Sequence, residues 1–332
     1  MDVTVIWAAI IALGVFMYVS LDGFDLGIGM IFPFFPDTEE RDMMIHSIAP
    51  VWDGNETWLV LGGAALLAAF PVVYAVVLSA LYLPIVFMLV CLIFRGVSFE
   101  LRGAANKTRN LWSLAFICGS AGAAFFQGVI LGAFIHGIPV QNRVFSGDAF
   151  FWVTPFTFFT GMGLMVTYAL LGACFLVTKL DGDMQQRMHK LIWPLTLVLL
   201  GFIVAVSIWT PLTDAQIATR WFDSSFRTRL YPVPVLVLIV AALMYRSVVV
   251  RHDNAPFVLA LLLVLLGYIG LCVSIWPYAV PNSITLAQAA APRSSQIFAL
   301  VGAVIIIPVI LVYTTAGYWV FRGKVERGAH YH

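Results

Sequence analysis

Residues 255–280 read APFVLALLLVLLGYIGLCVSIWPYAV and contain no charged side chain. A helix needs about 20 mainly apolar residues to cross the hydrocarbon core of a bilayer, so this stretch is long enough to do so. The rest of the chain has the same character, because 61% of its 332 residues are hydrophobic and 11% are charged. In a soluble domain about a quarter of the residues are charged. The composition therefore predicts an all-α integral membrane protein.

Similar apolar stretches, bounded by charged residues or by proline and glycine, predict nine transmembrane helices in all. The nine cover residues 4–34, 42–70, 72–101, 110–137, 153–179, 186–212, 231–250, 255–280 and 296–321. None of these runs shows the alternation of a barrel strand. We expect a single transmembrane domain over residues 1–332, with one four-helix bundle at 1–137, a second at 153–280 and a peripheral last helix at 296–321.

The basic residues predict the orientation of the chain. Of the 18 lysines and arginines, one side of the predicted bundle carries only Arg143, Arg220, Arg227, Arg229 and Arg293, and all others except Arg95 lie on the opposite side. The positive-inside rule then places the N-terminus in the periplasm and the C-terminus in the cytoplasm. Residues 213–230 form the longest external loop and are expected to be a surface cap.

Five ionisable residues fall within otherwise apolar predicted helices, namely Asp22, Asp25, Asp53, Glu56 and Arg95. A charge near the bilayer centre costs at least ~2.5–3.5 kcal/mol, so each is a candidate functional residue. A rise of about 1.5 Å per residue places Asp25 and Arg95 toward the cytoplasmic side and puts Asp53 and Glu56 near the middle. Asp22 and Asp25 are three residues apart, as are Asp53 and Glu56, so the two acids of each pair share a helix face and can share a proton. The acids therefore predict a proton path from the cytoplasm toward the midplane.

A structural explanation of the same residues is also open. Asp25, Asp53 and Arg95 can form a buried ion pair or triad that fixes helix packing without carrying protons. Asp22 can instead cap a break in the first helix at Gly23. The structural and the proton-carrying roles are compatible with each other.

The most unusual stretch is SIAPVWDGNETWL at residues 47–59, which brings polar, aromatic and acidic groups together inside a predicted membrane helix. Trp52, Gly54, Asn55 and Trp58 are expected to be packing residues of this motif, with Gly54 allowing a close helix approach. Pro50 leaves a backbone carbonyl without its helical partner, so water or a polar side chain is expected there.

Histidine and cysteine positions argue against a cofactor held by this chain. A b-type haem in a membrane is usually held by two histidines at matched depth on facing helices. His46 and His136 lie at opposite helix ends and the other four histidines lie in cytoplasmic segments, so we expect no such pair, although ligation by a single histidine or a methionine stays open. The four cysteines occur singly in apolar runs, which predicts no metal site. A net charge of +1 gives no sign of a nucleic-acid partner.

Three motifs resemble those of a known family. They are DGFDLGIG at residues 22–29, WDGNETWL at 52–59 and FRGVSFE at 94–100, and the segments PNSIT at 281–285, SSQ at 294–296 and YTTAGYW at 313–319 are also similar. The family is subunit II of the cytochrome bd-type quinol oxidases, and the resemblance covers nearly the whole chain. The short connection between the sixth and seventh predicted helices resembles the cyanide-insensitive variety.

The resemblance implies a haem-free subunit in the bacterial inner membrane, without catalytic residues of its own. Its partner would be a haem-bearing subunit I with two b-type haems, haem d and the site where ubiquinol is oxidised. The complex would reduce oxygen to water and generate a proton gradient. Asp25, Asp53 and Glu56 would line a cytoplasmic proton path, with Arg95 and Asp22 as charge partners. A small single-helix accessory subunit and a groove for quinone or lipid are also implied.

Two other functions remain compatible with the sequence. One is a secondary transporter that binds a cation or an organic anion at a midplane acidic site. The other is a purely structural membrane anchor for a redox complex, with no part in proton transfer.

Overall fold

The computed structural model describes residues 2–105, 107–213, 218–219, 221 and 232–325. Its α-helices are α1 (Val3–Ile31), α2 (Thr38–Ile48), α3 (Trp52–Ala69), α4 (Pro71–Ala80), α5 (Tyr82–Ala104), α6 (Arg109–His136), α7 (Pro155–Lys179), α8 (Gly182–Thr213), α9 (Pro232–Val250), α10 (Ala255–Ile275), α11 (Leu286–Ala289) and α12 (Arg293–Val320). A 3-10 turn, Phe32–Phe34, follows α1. The predicted surface cap at 213–230 lies almost wholly outside the described residues.

Two short antiparallel hairpins interrupt the helices. One pairs β1 (Val140–Gln141) with β2 (Val144–Phe145), and the other pairs β3 (Tyr278–Val280) with β4 (Ile284–Thr285). The eighth predicted helix therefore ends at Ile275, not at residue 280. Its prediction was too long because Pro277 and Pro281 lack the N–H groups that would continue a helix.

Eight helices in the described part of the chain are long and apolar enough to cross a membrane. They are α1 with its following turn, α5, α6, α7, α8, α9, α10 and α12. The chain is thus a multi-pass, all-α membrane protein, as its composition predicts. The count of nine spans and the orientation of the termini stay predictions.

The predicted second helix at 42–70 is wrong as a continuous element, because the structure divides it into α2 and α3 with a turn at residues 49–51. Pro50 stands in that turn, where its ring and its missing N–H disfavour a continuous helix. Because α3 begins at Trp52, Asp53 lies in its first turn and Glu56 in its second. These two acids are therefore close to the beginning of α3 and not midway along a long helix.

The predicted third helix at 72–101 is also divided, into α4 and α5, and the boundary falls at Leu81. Pro84 lies in the first turn of α5, where a missing N–H is tolerated, so a new helix begins there. The shorter helix α4 contacts both hairpins and lies at their end of the molecule.

Helix α1 is the centre of the packing, and it contacts α3, α6, α7, α10 and α12. Its glycines allow this: a Cβ at Gly27 would lie 1.8 Å from the Tyr168 carbonyl oxygen, and one at Gly29 would lie 2.1 Å from Ser120 Oγ. Gly27 and Gly29 therefore lie where the helices approach most closely along α1. Since α1 packs extensively against α7, contacts cross the proposed boundary between two bundles, and that division stays a prediction.

The buried apolar residues form two clusters, one toward each end of α1. The cluster nearer the beginning of α1 includes Trp7, Phe70 and Val280. The cluster nearer its end includes Phe24, Ile28 and Phe116. The candidate acids of α1 lie beside this second cluster.

Replacement of Gly27 by alanine tests the close contact between α1 and α7. The new Cβ would overlap the Tyr168 carbonyl, so Gly27→Ala should destabilise the fold by more than about 2 kcal/mol. The measurement is the thermal unfolding midpoint of the purified protein in detergent. Gly267→Ala is the matched control, because a Cβ at Gly267 meets nothing within 4 Å. Equal melting of the two variants would contradict the packing.

Candidate functional site

Arg95 on α5 is the centre of a charged cluster inside the bundle, and its side chain is 0% exposed. Its Nη2 donates a hydrogen bond to Asp22 Oδ1 at 2.7 Å and lies 3.6 Å from Asp25 Oδ2. Its Nη1 donates to Glu56 Oε1. One guanidinium therefore holds three carboxylates, which come from α1 and α3.

The charges in this cluster do not balance when every group is ionised. Three carboxylates and one guanidinium then leave an excess of negative charge in a region of low dielectric. A proton bound by one or more of the carboxylates reduces that excess. The cluster is thus suited to take up and release protons, and Arg95 is not, because a guanidinium stays charged.

Aromatic rings cover the cation on one side. The Trp52 and Phe99 rings are stacked with centroids 4.8 Å apart, and the Arg95 Cζ lies 5.4 Å from the Trp52 ring and 5.5 Å from the Phe99 ring. Both distances fall within the range of cation–π attraction. Trp52 therefore contributes to the charged cluster as well as to motif packing.

Helices α5 and α6 approach each other closely beside the backbone of Arg95. A Cβ at Gly119 on α6 would lie 2.7 Å from the Cys91 carbonyl oxygen and 2.9 Å from the Arg95 backbone nitrogen. Only a glycine allows α6 this close to the backbone of α5. The backbone of α5 at Arg95 is therefore packed directly against α6.

Asn55 completes the site between α1, α3 and α12. Its Nδ2 donates to Asp25 Oδ2 at 2.7 Å and approaches the Leu21 carbonyl oxygen at 3.4 Å. Its Oδ1 accepts a hydrogen bond of 2.8 Å from the Tyr318 hydroxyl on α12. Sequence reasoning missed Tyr318: it belongs to the quoted motif at 313–319, but a tyrosine near a helix end is equally typical of the membrane interface.

A second pair of polar residues, Tyr168 and Gln127, joins α7 and α6. Tyr168 on α7 is 0% exposed, and its ring lies against Gly23, where a Cβ would be 2.6 Å from Cε1. Its hydroxyl donates to Gln127 Oε1 on α6. Sequence reasoning missed this pair, because the partners are 41 residues apart on different helices.

The proposed triad of Asp25, Asp53 and Arg95 is wrong in its membership. Asp53 lies on the exposed side of α3, and the salt bridges of Arg95 go to Asp22, Asp25 and Glu56 instead. The cause is the late start of α3, whose first turn directs Asp53 away from the bundle. The cap proposed for Asp22 is also wrong, since α1 continues without a break through Gly23 to Ile31.

The remaining motif residues differ in how tightly they pack. Trp58 is 1% exposed and Asn55 is also 1% exposed. A Cβ at Gly54 would meet only Tyr313 Cε1, at an ordinary 3.7 Å. Within this chain, Gly54 is therefore not required for a close helix approach, contrary to the expectation.

No group of three or more histidine, cysteine or acidic residues in the described part of the chain could hold a metal ion. His46 lies in the last turn of α2, and His136 ends α6. His189 lies near the beginning of α8, and His252 lies between α9 and α10. None of these four stands midway along a membrane-spanning helix, which is where a haem between helices would need its ligands.

Comparisons with known proteins agree on one family. The sequence pattern described as "Cytochrome bd terminal oxidase subunit II" matches residues 3–321. The chain is 28% identical over 373 residues to cytochrome bd-I ubiquinol oxidase subunit 2 of Escherichia coli strain K12, covering 98% of this chain and 97% of that protein. It is 28% identical over 335 residues to cytochrome bd ubiquinol oxidase subunit 2 of Bacillus subtilis strain 168, covering 97% and 96%.

The fold has a solved counterpart. A chain of the bd oxidase from Geobacillus thermodenitrificans superimposes with a TM-score of 0.73 at 16% sequence identity, over 97% of this chain and 96% of that one. At this identity the likeness shows the fold alone. The fold, the match over residues 3–321 and the motifs around Asp22, Trp52 and Arg95 all indicate the same family. The chain belongs to the cytochrome bd terminal oxidase subunit II family.

Proposed function

We propose that this chain is the haem-free subunit II of a quinol:oxygen oxidoreductase and that its carboxylates form part of a proton path to the site of oxygen reduction. The full-length relatives are named as ubiquinol oxidase subunits, which supports the first part. The observation that carries the second part is a buried arginine holding Asp22, Asp25 and Glu56. Carboxylates at this position can bind and release protons.

The proposed complex contains a haem-bearing subunit I, with two b-type haems and haem d, in a bacterial inner membrane. Ubiquinol is its reductant, and a small single-helix subunit can complete it. In the described chain, the histidine positions do not fit a haem between two helices, so oxygen chemistry is assigned to the partner. Exposed apolar residues such as Val60 on α3 and Phe298 on α12, 72% and 85% exposed, offer surface to that partner or to lipid.

The exposure of the acids suggests the order in which a proton meets them. Asp53 is exposed on α3. The Glu56 side chain is 29% exposed and also pairs with Arg95, so it links the outside of the bundle to the interior. Asp22 and Asp25 are 0% exposed. In this proposal Asp53 exchanges protons with the partner's side of the path, Glu56 connects it to the cluster, and Arg95 stabilises the ionised forms.

The transporter alternative has less support than the oxidase proposal. Discontinuous helices around a midplane site are typical of secondary transporters. Broken helices occur here too, at residues 49–51 and at Leu81, but the full-length relatives are named as ubiquinol oxidase subunits. The purely structural alternative uses the same salt bridges, so an experiment has to separate it from the proton path.

Co-expression tests the assignment to an oxidase. The chain expressed alone should form a membrane protein without haem absorbance. Co-expressed with a haem-bearing subunit I from the same organism, it should copurify in a complex with a haem d band in the reduced-minus-oxidised spectrum and with quinol-dependent oxygen uptake. A colourless chain that transports a solute by itself in liposomes would contradict the assignment.

Replacement of Asp53 separates proton transfer from packing. Arg95 does not bind Asp53, so Asp53→Asn should leave assembly and haem content unchanged. Loss of a proton-carrying group should lower the rate of oxygen uptake about tenfold or more. The measurement is quinol-driven oxygen consumption per haem d.

Asp183→Asn is the matched control, because Asp183 is an exposed aspartate at the beginning of α8. It should keep the rate of the unmodified complex. An Asp53→Asn complex with unchanged oxygen uptake would contradict the proposed part of Asp53 in proton transfer.

A further inference from the structure

Tyr318 connects the last helix to the charged cluster. It lies near the end of α12, a helix in which Gln296 is the only buried residue. Its hydroxyl donates to Asn55 Oδ1 at 2.8 Å, and its ring meets Phe24 edge-on with centroids 6.3 Å apart. The tyrosine is thus a polar contact from a mostly exposed helix to the interior of the bundle.

The neighbours of Asn55 fix the orientation of its amide. The Leu21 carbonyl can only accept a hydrogen bond and the Asp25 carboxylate accepts one when ionised, so the NH2 group must face them. The amide oxygen then faces α12 and needs a donor, because Asn55 is 1% exposed and a buried polar atom left unpaired is costly. The Tyr318 hydroxyl is that donor.

The same arrangement distinguishes the two oxygens of Asp25. Oδ2 accepts the 2.7 Å hydrogen bond from Asn55, and Arg95 Nη2 is farther from it, at 3.6 Å. Oδ1 is buried and has no hydrogen-bond partner among the described residues. The carboxylate is therefore held through one oxygen while the other remains open to a proton.

We propose that Tyr318 is a positioning residue of the proton path: through Asn55 it holds Asp25 so that Oδ1 takes up and releases the proton. The inference rests on the proposed function and deepens it, because it assigns the proton to one atom and gives α12 a part in the path. Tyr318 itself does not carry the proton in this arrangement.

A simple anchoring role for Tyr318 would give different results. Near its beginning, α12 is also held by the Trp7 Nε1 hydrogen bond to the Gln296 carbonyl at 3.0 Å. Just after its end, Lys179 Nζ donates to the Phe321 carbonyl. Loss of one hydroxyl leaves these contacts in place, so α12 should stay attached in a Tyr318→Phe variant.

The first test is Tyr318→Phe in the complete complex with its haem-bearing subunit. We expect kcat for quinol-driven oxygen reduction to fall about fivefold, as for the loss of one positioning hydrogen bond. The KM for quinol and the haem d content should be unchanged, because neither depends on Asn55. A change in KM or haem content with constant kcat would indicate a structural role and overturn the inference.

The matched control is Tyr268→Phe. It removes another tyrosine hydrogen bond between helices, from Tyr268 on α10 to the Ala12 carbonyl on α1 at 2.8 Å, outside the charged cluster. It should leave kcat unchanged. An equal fall of kcat in both variants would show that any lost interhelical hydrogen bond has this effect, and would overturn the inference.

A double-mutant cycle then tests whether Tyr318 acts through Asn55. Tyr318→Phe should have its full effect in the unmodified chain and almost none in an Asn55→Ala background, and equal effects in both would overturn the inference. If Asn55→Ala fails to assemble, the kcat and KM values of Tyr318→Phe decide. The Asp25→Asn variant separates the role of Tyr318 from the proton path itself. If kcat falls in Asp25→Asn but is normal in Tyr318→Phe, only the inference about Tyr318 is rejected. If kcat is normal in Asp25→Asn, the proposed path is rejected as well.

Discussion

The burial of one guanidinium constrains the rest of this structure. An arginine that cannot lose its charge is expensive in a low-dielectric interior unless anionic partners surround it. Arg95 meets this requirement with carboxylates from α1 and α3 and with the rings of Trp52 and Phe99. Helices α1, α3 and α5 are therefore fixed relative to each other, because any one of them moving away would leave a buried charge unpaired.

The charged contacts depend in turn on how closely the backbones approach. Gly27 and Gly29 let α1 press against α7 and α6, and Gly119 lets α6 press against α5. Side chains of aspartate are short, so a wider separation of these helices would leave Asp22 out of reach of Arg95. The glycines and the aspartates of the motif DGFDLGIG serve one purpose. The glycines set the distance between the helices, and the aspartates reach Arg95 across that distance.

Part of this site could be predicted from the sequence because charge in an apolar span is rare and costly. That reasoning found Arg95, Asp22, Asp25 and Glu56 and expected Asp25 to pair with Arg95, but it put Asp53 in the place that Glu56 occupies. It misplaced Asp53, because a helix break at Pro50 shifts the start of α3 and turns the first acid outward. Tyr318, Tyr168 and Gln127 were missed since a single polar side chain in a long helix gives no sign of which neighbour it faces. Contacts between residues far apart in sequence are set by tertiary packing, which periodicity does not report.

The position of Tyr318 near the end of the chain has a consequence for biosynthesis. Every other member of the Arg95 cluster lies within the first hundred residues, so those helices can associate while the later ones are still being made. The contact of Tyr318 with Asn55 forms only after α12 has entered the membrane. A chain interrupted before that helix would contain all the acids and the arginine but would leave the amide oxygen of Asn55 without its donor. Helix α12 therefore supplies the one hydrogen bond to the amide oxygen of Asn55 that the earlier helices leave open.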